Sequence, residues 1–142
     1  MAQPPIMVES EYDQYDAVGL AGLIAKGELG PSEPIEAAIS RIESRNPQLN
    51  AVIAKCFDAA RGIVAKGLPD GPLAGVPYLI KDLNTWLAGV PATNGSRAFA
   101  DTTPEIDGIL VSRLKAAGLV ILGKTNTPEF GAGSHTFNPL FG

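Results

Sequence analysis

Apolar positions in the first half of this chain recur at helical spacing, and in the second half they gather into short continuous runs bounded by glycine and proline. Leu20, Leu23 and Ile24 form one stripe behind Asp16, a residue suited to capping a helix, and Gly27 supplies a stop. Ile35, Ile39 and Ile42 follow at spacings of four and three. They predict a second helix, capped by Ser32 and running to about Arg45, with Pro34 tolerated in its first turn and Asn46 and Pro47 ending it. Ala59, Ala60, Ile63 and Val64 predict a third helix over residues 58–66, and residues 67–72 (GLPDGP) are turn chemistry.

The run Val76, Pro77, Tyr78, Leu79, Ile80 predicts a strand covered on both faces and ending at Lys81. Residues 84–103, with scattered Gly, Pro, Thr, Asn and Ser, form a long loop of the kind that often carries function. A helix begins near Asp107, with Leu110, Val111 and Leu114 inward, and Gly118 ends it before a short buried strand at residues 119–122. Strand, helix, strand implies a right-handed crossover and parallel pairing, hence an α/β sheet flanked by helices. Residues 1–15 contain Pro4, Pro5 and several acidic residues without a period and are expected to be a frayed arm, leaving residues 16–142 as the folded unit.

A length of 142 residues is enough for one hydrophobic core. The net charge of −4 and a pI near 4.9 argue against nucleic acid or an anionic membrane surface as a partner, and a small neutral substrate suits the chain better. The single cysteine, Cys56, excludes an internal disulfide framework. The acidic start lacks the basic and apolar regions of a signal peptide, and the longest apolar runs are far too short for a bilayer, so a cytoplasmic location is the expectation. Neither a metal nor a cofactor is expected, since no His, Cys, Asp or Glu cluster has ligand spacing.

Lys81 is the candidate for chemistry. A lysine at the end of a covered strand is partly desolvated, which disfavours the ammonium form, and a neutral lysine can take a proton from a hydroxyl. Asp82 need not pair with it, because neighbouring strand residues point to opposite faces. The alternative is a solvated strand end. Residues 118–125 also satisfy the phosphate-loop pattern G-x-x-x-x-G-K-T, but Leu119, Val120, Ile121 and Leu122 read as a strand and cannot curl around a phosphate while extended. Lys124 is then structural, or a positive neighbour of Lys81. Cys56 and His135 lie far apart with no third group implied, and Cys56 beside Phe57 reads as a small buried apolar residue. Ser96 and Thr93 can hydrogen-bond the region around Lys81 but lack the glycine-flanked elbow of a nucleophile.

Residues 72–83 (PLAGVPYLIKDL) resemble the lysine segment of the amidase signature family, and residues 118–130 (GLVILGKTNTPEF) resemble its second marker. Residues 89–96 (GVPATNGS) are similar to the family loop between them, with Ala92 where threonine is common, and Asn46, Pro47, Leu49, Asn50 and Ala51 resemble its "NP, x, LNA" turn. The resemblance spans residues 16–142 and implies the N-terminal portion of the family's α/β fold, a mixed sheet wrapped by helices and truncated here. It implies that Lys81 is the base of a Ser-cisSer-Lys mechanism whose two serines lie in a GGSSGG-type segment. This sequence contains no such segment.

The implied activity of the complete protein is hydrolysis of linear or cyclic amides, with a small-molecule amide as substrate. The lysine segment is similar to that of nylon-oligomer cyclic-dimer hydrolases. The chain alone is expected to be inactive and to associate with the remaining part of the domain or with itself. The alternatives are a non-catalytic remnant that binds a partner chain and an amidotransferase A subunit.

Overall fold

The computed structural model describes residues 9–142. Helix α1 covers Glu9–Tyr12, α2 Ala17–Ala25, α3 Ser32–Leu49, α4 Phe57–Lys66 and α5 Ile109–Ala116, while strands β1, β2 and β3 cover Val52–Lys55, Pro77–Lys81 and Val120–Thr125. Asp16 caps α2 as expected, its carboxylate accepting from the Gly19 N–H at 2.8 Å. Helix α3 departs from expectation at both ends. Ser32 is its first helical residue and gives no side-chain cap; nearby, Glu33 holds the Gly30 N–H at 2.6 Å. Pro47 sits inside the last turn, where it has no N–H to offer the Glu43 carbonyl and its ring crowds that carbonyl; the helix nevertheless runs on to Leu49 and closes at Asn50, which adopts a left-handed conformation and donates to Asn46 O at 2.8 Å.

Of the expected arm, residues 1–8 lie outside the described residues. Residues 9–12 form α1, and Tyr12 packs against the core with the Arg41 guanidinium 5.7 Å above its ring. Arg41 also pairs with Asp13.

The sheet is mixed, in the order β1-β3-β2, with β1 antiparallel and β2 parallel to the central β3. Strand β1 was not legible in the sequence, being four residues long. Its start is fixed by Asn46, whose side chain accepts from Val52 N at 2.7 Å and donates to Val52 O at 2.8 Å. Strand β3 is buried along all but its last residue, extending past the expected Leu122 through Gly123, Lys124 and Thr125. Strand β2 is not covered on both faces: it pairs only with β3 among the described residues, and Tyr78 is 41 % exposed.

Two layers pack on the sheet. Val120 and Leu122 face α3 and α4 through Ile35, Ile39 and Ala60, whereas Ile121 joins Ile80, Leu87 and Val111 of α5 in a second cluster. Each of the buried Val, Leu and Ile side chains among these contributes roughly 1.5–3 kcal/mol. Leu110 is exposed, so the inward face of α5 rests on Val111 and the half-buried Leu114. Gly118 makes the turn into β3 at φ +91°, where a Cβ would lie 2.6 Å from Ala74 Cα.

The β2–β3 register contains one irregularity that matters for the site. Tyr78 faces Ile121 and Leu79 faces Gly123, so β3 holds one extra residue there. A bulge of one residue switches the face on which every later side chain stands. Without it, Lys124 would share the α3 and α4 face with Val120 and Leu122. With it, Lys124 stands on the face of Ile80 and Asp82.

Candidate functional site

Lys81 is the last residue of β2 and is exposed. The expected partial desolvation is absent because no described element covers this end of the edge strand. Lys81 forms no ion pair among the described residues.

Asp82 behaves oppositely. Its N–H continues the ladder to Thr125 O at 2.9 Å, and its side chain is 1 % exposed. The carboxylate accepts from Lys124 Nζ at 2.5 Å, from the Thr93 hydroxyl at 2.5 Å and from the Thr93 N–H at 3.2 Å. Lys124 is fully buried and also donates to Thr85 O at 3.1 Å and Pro91 O at 2.8 Å. Its ammonium thus meets three acceptors with three donors. This buried pair was not foreseen; the alternation of Lys81 and Asp82 was readable, but the bulge that turns Lys124 toward Asp82 was not.

The loop at residues 84–103 is tied down along its length. Asn84 N–H donates to Asn94 Oδ1 at 2.8 Å, Ala92 N–H to Thr102 O at 2.8 Å, and Gly89 N–H to Pro104 O at 2.9 Å. Gly95 adopts φ +68°, and a Cβ there would stand 2.9 Å from Thr127 O, so the loop and the segment after β3 meet through bare backbone. Ser96 is buried and caps the turn Arg97–Phe99. Asp107 accepts from Ala88 N–H at 2.9 Å and from Lys115 Nζ at 2.5 Å. Its partial burial works to raise the carboxyl pKa, but these hydrogen bonds outweigh burial and the net shift is downward.

Asn126, two residues after Lys124, organises a second segment. It donates to Asn50 O and Gly142 O, while its own oxygen accepts from Asn138 Nδ2 at 2.6 Å. Asn138 is buried and caps the following turn by accepting from Leu140 and Phe141 N–H. Nothing in the GKTN run announces the role of its asparagine, because the partners of Asn126 are distant in the chain.

Residues 120–125 of the phosphate-loop pattern are extended strand, and the pattern's lysine is closed in by Asp82. Cys56 precedes α4 and is half-buried; burial pushes its thiol pKa up, against the lowering influence of Lys124 and Lys115. His135 is exposed in the loop that follows β3. Among the described residues no group of three or more His, Cys, Asp or Glu could hold a metal ion, and no helix is long and apolar enough to cross a membrane.

A cavity of about 290 Å³ beside the pair is lined by Ile53, Ala54, Asp82, Pro91, Thr93 and Phe141, among others. An apolar groove of about 340 Å³ lies instead between α3 and the sheet, lined by Tyr78, Leu79, Leu122 and Val52 on one side and by Tyr12, Ile42 and Leu49 on the other.

The amidase family pattern matches residues 33–142. Over 140 residues the chain is 41% identical to the A subunit of the glutamyl-tRNA(Gln) amidotransferase of Salinispora tropica, a match that covers 94% of this chain and 28% of that protein. Over 118 residues it is 42% identical to the 6-aminohexanoate-cyclic-dimer hydrolase of Paenarthrobacter ureafaciens, covering 82% and 24% respectively. The solved structure of 6-aminohexanoate cyclic dimer hydrolase complexed with substrate superposes with a TM-score of 0.83 at 38% identity, covering 90% of this chain and 27% of that one. The chain belongs to the amidase signature family. It spans about a quarter of the length of these relatives.

Proposed function

We propose that this chain supplies the base of an amide-hydrolysing site, and that Lys81 is that base. The observation that carries the reading is the division of labour at the end of β2. Asp82 is turned away and committed to Lys124, so the Lys81 amine stands at the open strand end without a carboxylate partner among the described residues.

Residues 16–142 are the N-terminal part of the domain in this reading, and the two serines come from a segment of the complete protein. Lys81 takes a proton, relayed through a serine next to a cis peptide bond, from the nucleophilic serine. That serine attacks the amide carbon, the amine leaves with the returned proton, and water releases the acyl group by the reverse relay. Backbone N–H groups near the glycine-rich segment hold the oxyanion. Because base, nucleophile and oxyanion donors act as a unit, the chain alone has no turnover. A small linear or cyclic amide is the substrate, the location is cytoplasmic, and no cofactor takes part.

A second reading, the amidotransferase A subunit, draws on the 41% identity to such a protein over 140 residues. The two are separated by one experiment. The chain is joined to the C-terminal part of a 6-aminohexanoate-cyclic-dimer hydrolase and assayed for amine release from simple amides. Turnover of a simple amide by the joined protein, with none from the chain alone, is the expected result. A joined, folded protein that releases ammonia from glutamine only in the presence of amidotransferase partner proteins would favour the second reading.

A further inference from the structure

Lys124 is a fully buried cation in a strand whose other buried side chains are apolar, and its three acceptors come from two places: the carboxylate of Asp82 at the end of β2, and the carbonyls of Thr85 and Pro91 in the 84–103 loop. Asp82 in turn holds Thr93 of the same loop by both its N–H and its hydroxyl. An ion pair in a low-dielectric interior rarely adds net stability over apolar residues of the same volume, so packing alone does not account for these two residues. What the pair does join is a loop without strand pairing of its own to the centre of the sheet.

We infer that the Asp82–Lys124 pair is the fastener of the 84–103 loop: one ammonium, brought to this face by the bulge at Leu122 and Gly123, holds the loop at Thr85 and Pro91, and the carboxylate holds it at Thr93. The pair fixes the loop's course across the end of the sheet, next to the strand that ends in Lys81. This inference goes beyond the assignment of Lys81 and does not depend on it.

The test is amide hydrogen exchange by mass spectrometry on the chain and on Lys124→Met, Asp82→Asn and the double variant. Peptides covering residues 85–96 are compared with those covering α4, which packs on the opposite face through Ala60. The double variant is decisive, because it leaves no buried charge without a partner. Exchange in residues 85–96 is expected to rise on the order of a hundredfold in it, while α4 stays within about twofold of the unmodified chain. Lys81→Ala leaves the loop's exchange unchanged, so an error in the assignment of the base would show in activity and not here. Loop exchange in the double variant equal to that of the unmodified chain overturns the inference. So does an equal rise in loop and α4, or a double variant that does not fold, since either makes the pair a general support of the fold and not a fastener of this loop.

Discussion

Lys81 and Asp82 are consecutive in the chain and oppositely committed: Lys81 is exposed, and Asp82 is 1 % exposed with Lys124 Nζ at 2.5 Å from its carboxylate. The pleat of the strand separates them, and the bulge in β3 supplies the cation that satisfies the buried one. Two lysines of similar appearance in the sequence therefore carry different burdens.

Stability separates them first. Lys81→Ala removes an exposed side chain and is expected to change unfolding free energy by no more than about 0.5 kcal/mol. Lys124→Ala leaves the Asp82 carboxylate buried without its counter-charge and is expected to cost about 3–5 kcal/mol. Urea denaturation followed by circular dichroism measures both; similar losses for the two would show that the burial difference does not govern their roles.

Gly123 tests the bulge. A Cβ at this position would lie 2.1 Å from Ala54 O, so the β1 backbone must move to admit it. Gly123→Ala is expected to lose at least about 2 kcal/mol, through separation of β1 from β3. A thermal midpoint unchanged from that of the unmodified chain would mean that the two strands are not held at this approach.

Much of this frame is legible in the sequence. Helical spacing identified α2, α3 and α4, the continuous apolar run from Leu119 to Leu122 identified a short buried strand, and the order strand, helix, strand predicted its parallel pairing with β2. What escaped was set by tertiary contact. Strand β1 is too short to show a period, and it is fixed by Asn46. Pro47 reads as a stop, yet the helix continues through it to Leu49 before Asn50 closes it. Lys124 reads as structural or as a positive neighbour of Lys81, and its pairing with Asp82 is not readable because nothing local announces a bulge. The Lys81 segment was legible as a motif, while its exposure was not, since that depends on what lies beyond the open edge of β2.

Acid should weaken the fold through three surface pairs. The Arg41 guanidinium holds the Asp13 carboxyl below its ordinary value of 3.8, and Arg61 does the same for Glu36 against its ordinary 4.5; Asp107 is lowered too, by hydrogen bonds that overcome burial. A carboxyl lowered in the folded state contributes stability that is present above its unfolded pKa and is lost as the pH falls through the folded one. The loss therefore belongs below about pH 4.5, and it shrinks at high salt most for Asp13, whose side chain is the most exposed of the three. Glu36→Gln is expected to cost about 0.5 kcal/mol or less at neutral pH and to flatten the dependence of the thermal midpoint on pH below 4.5. A dependence as steep as that of the unmodified chain would assign the acid response elsewhere.

The open side of β2 predicts self-association of the isolated chain. Tyr78 is 41 % exposed beside the apolar groove lined by Leu79, Ile42 and Leu49, and an unpaired strand edge next to such a surface recruits further chains. Light scattering is expected to show mass rising with concentration, and Tyr78→Lys is expected to reduce it. A monomer at all concentrations would contradict the prediction.

The role of Lys81 is read most directly from the turnover of a simple amide by the chain joined to the C-terminal part of a 6-aminohexanoate-cyclic-dimer hydrolase, compared with its Lys81→Ala variant. Lys81→Ala is expected to lower kcat by on the order of a thousandfold or more, as loss of a general base within a relay does, while the thermal midpoint stays within about 2 °C. Turnover retained in a folded Lys81→Ala protein would contradict the assignment of Lys81 as the base.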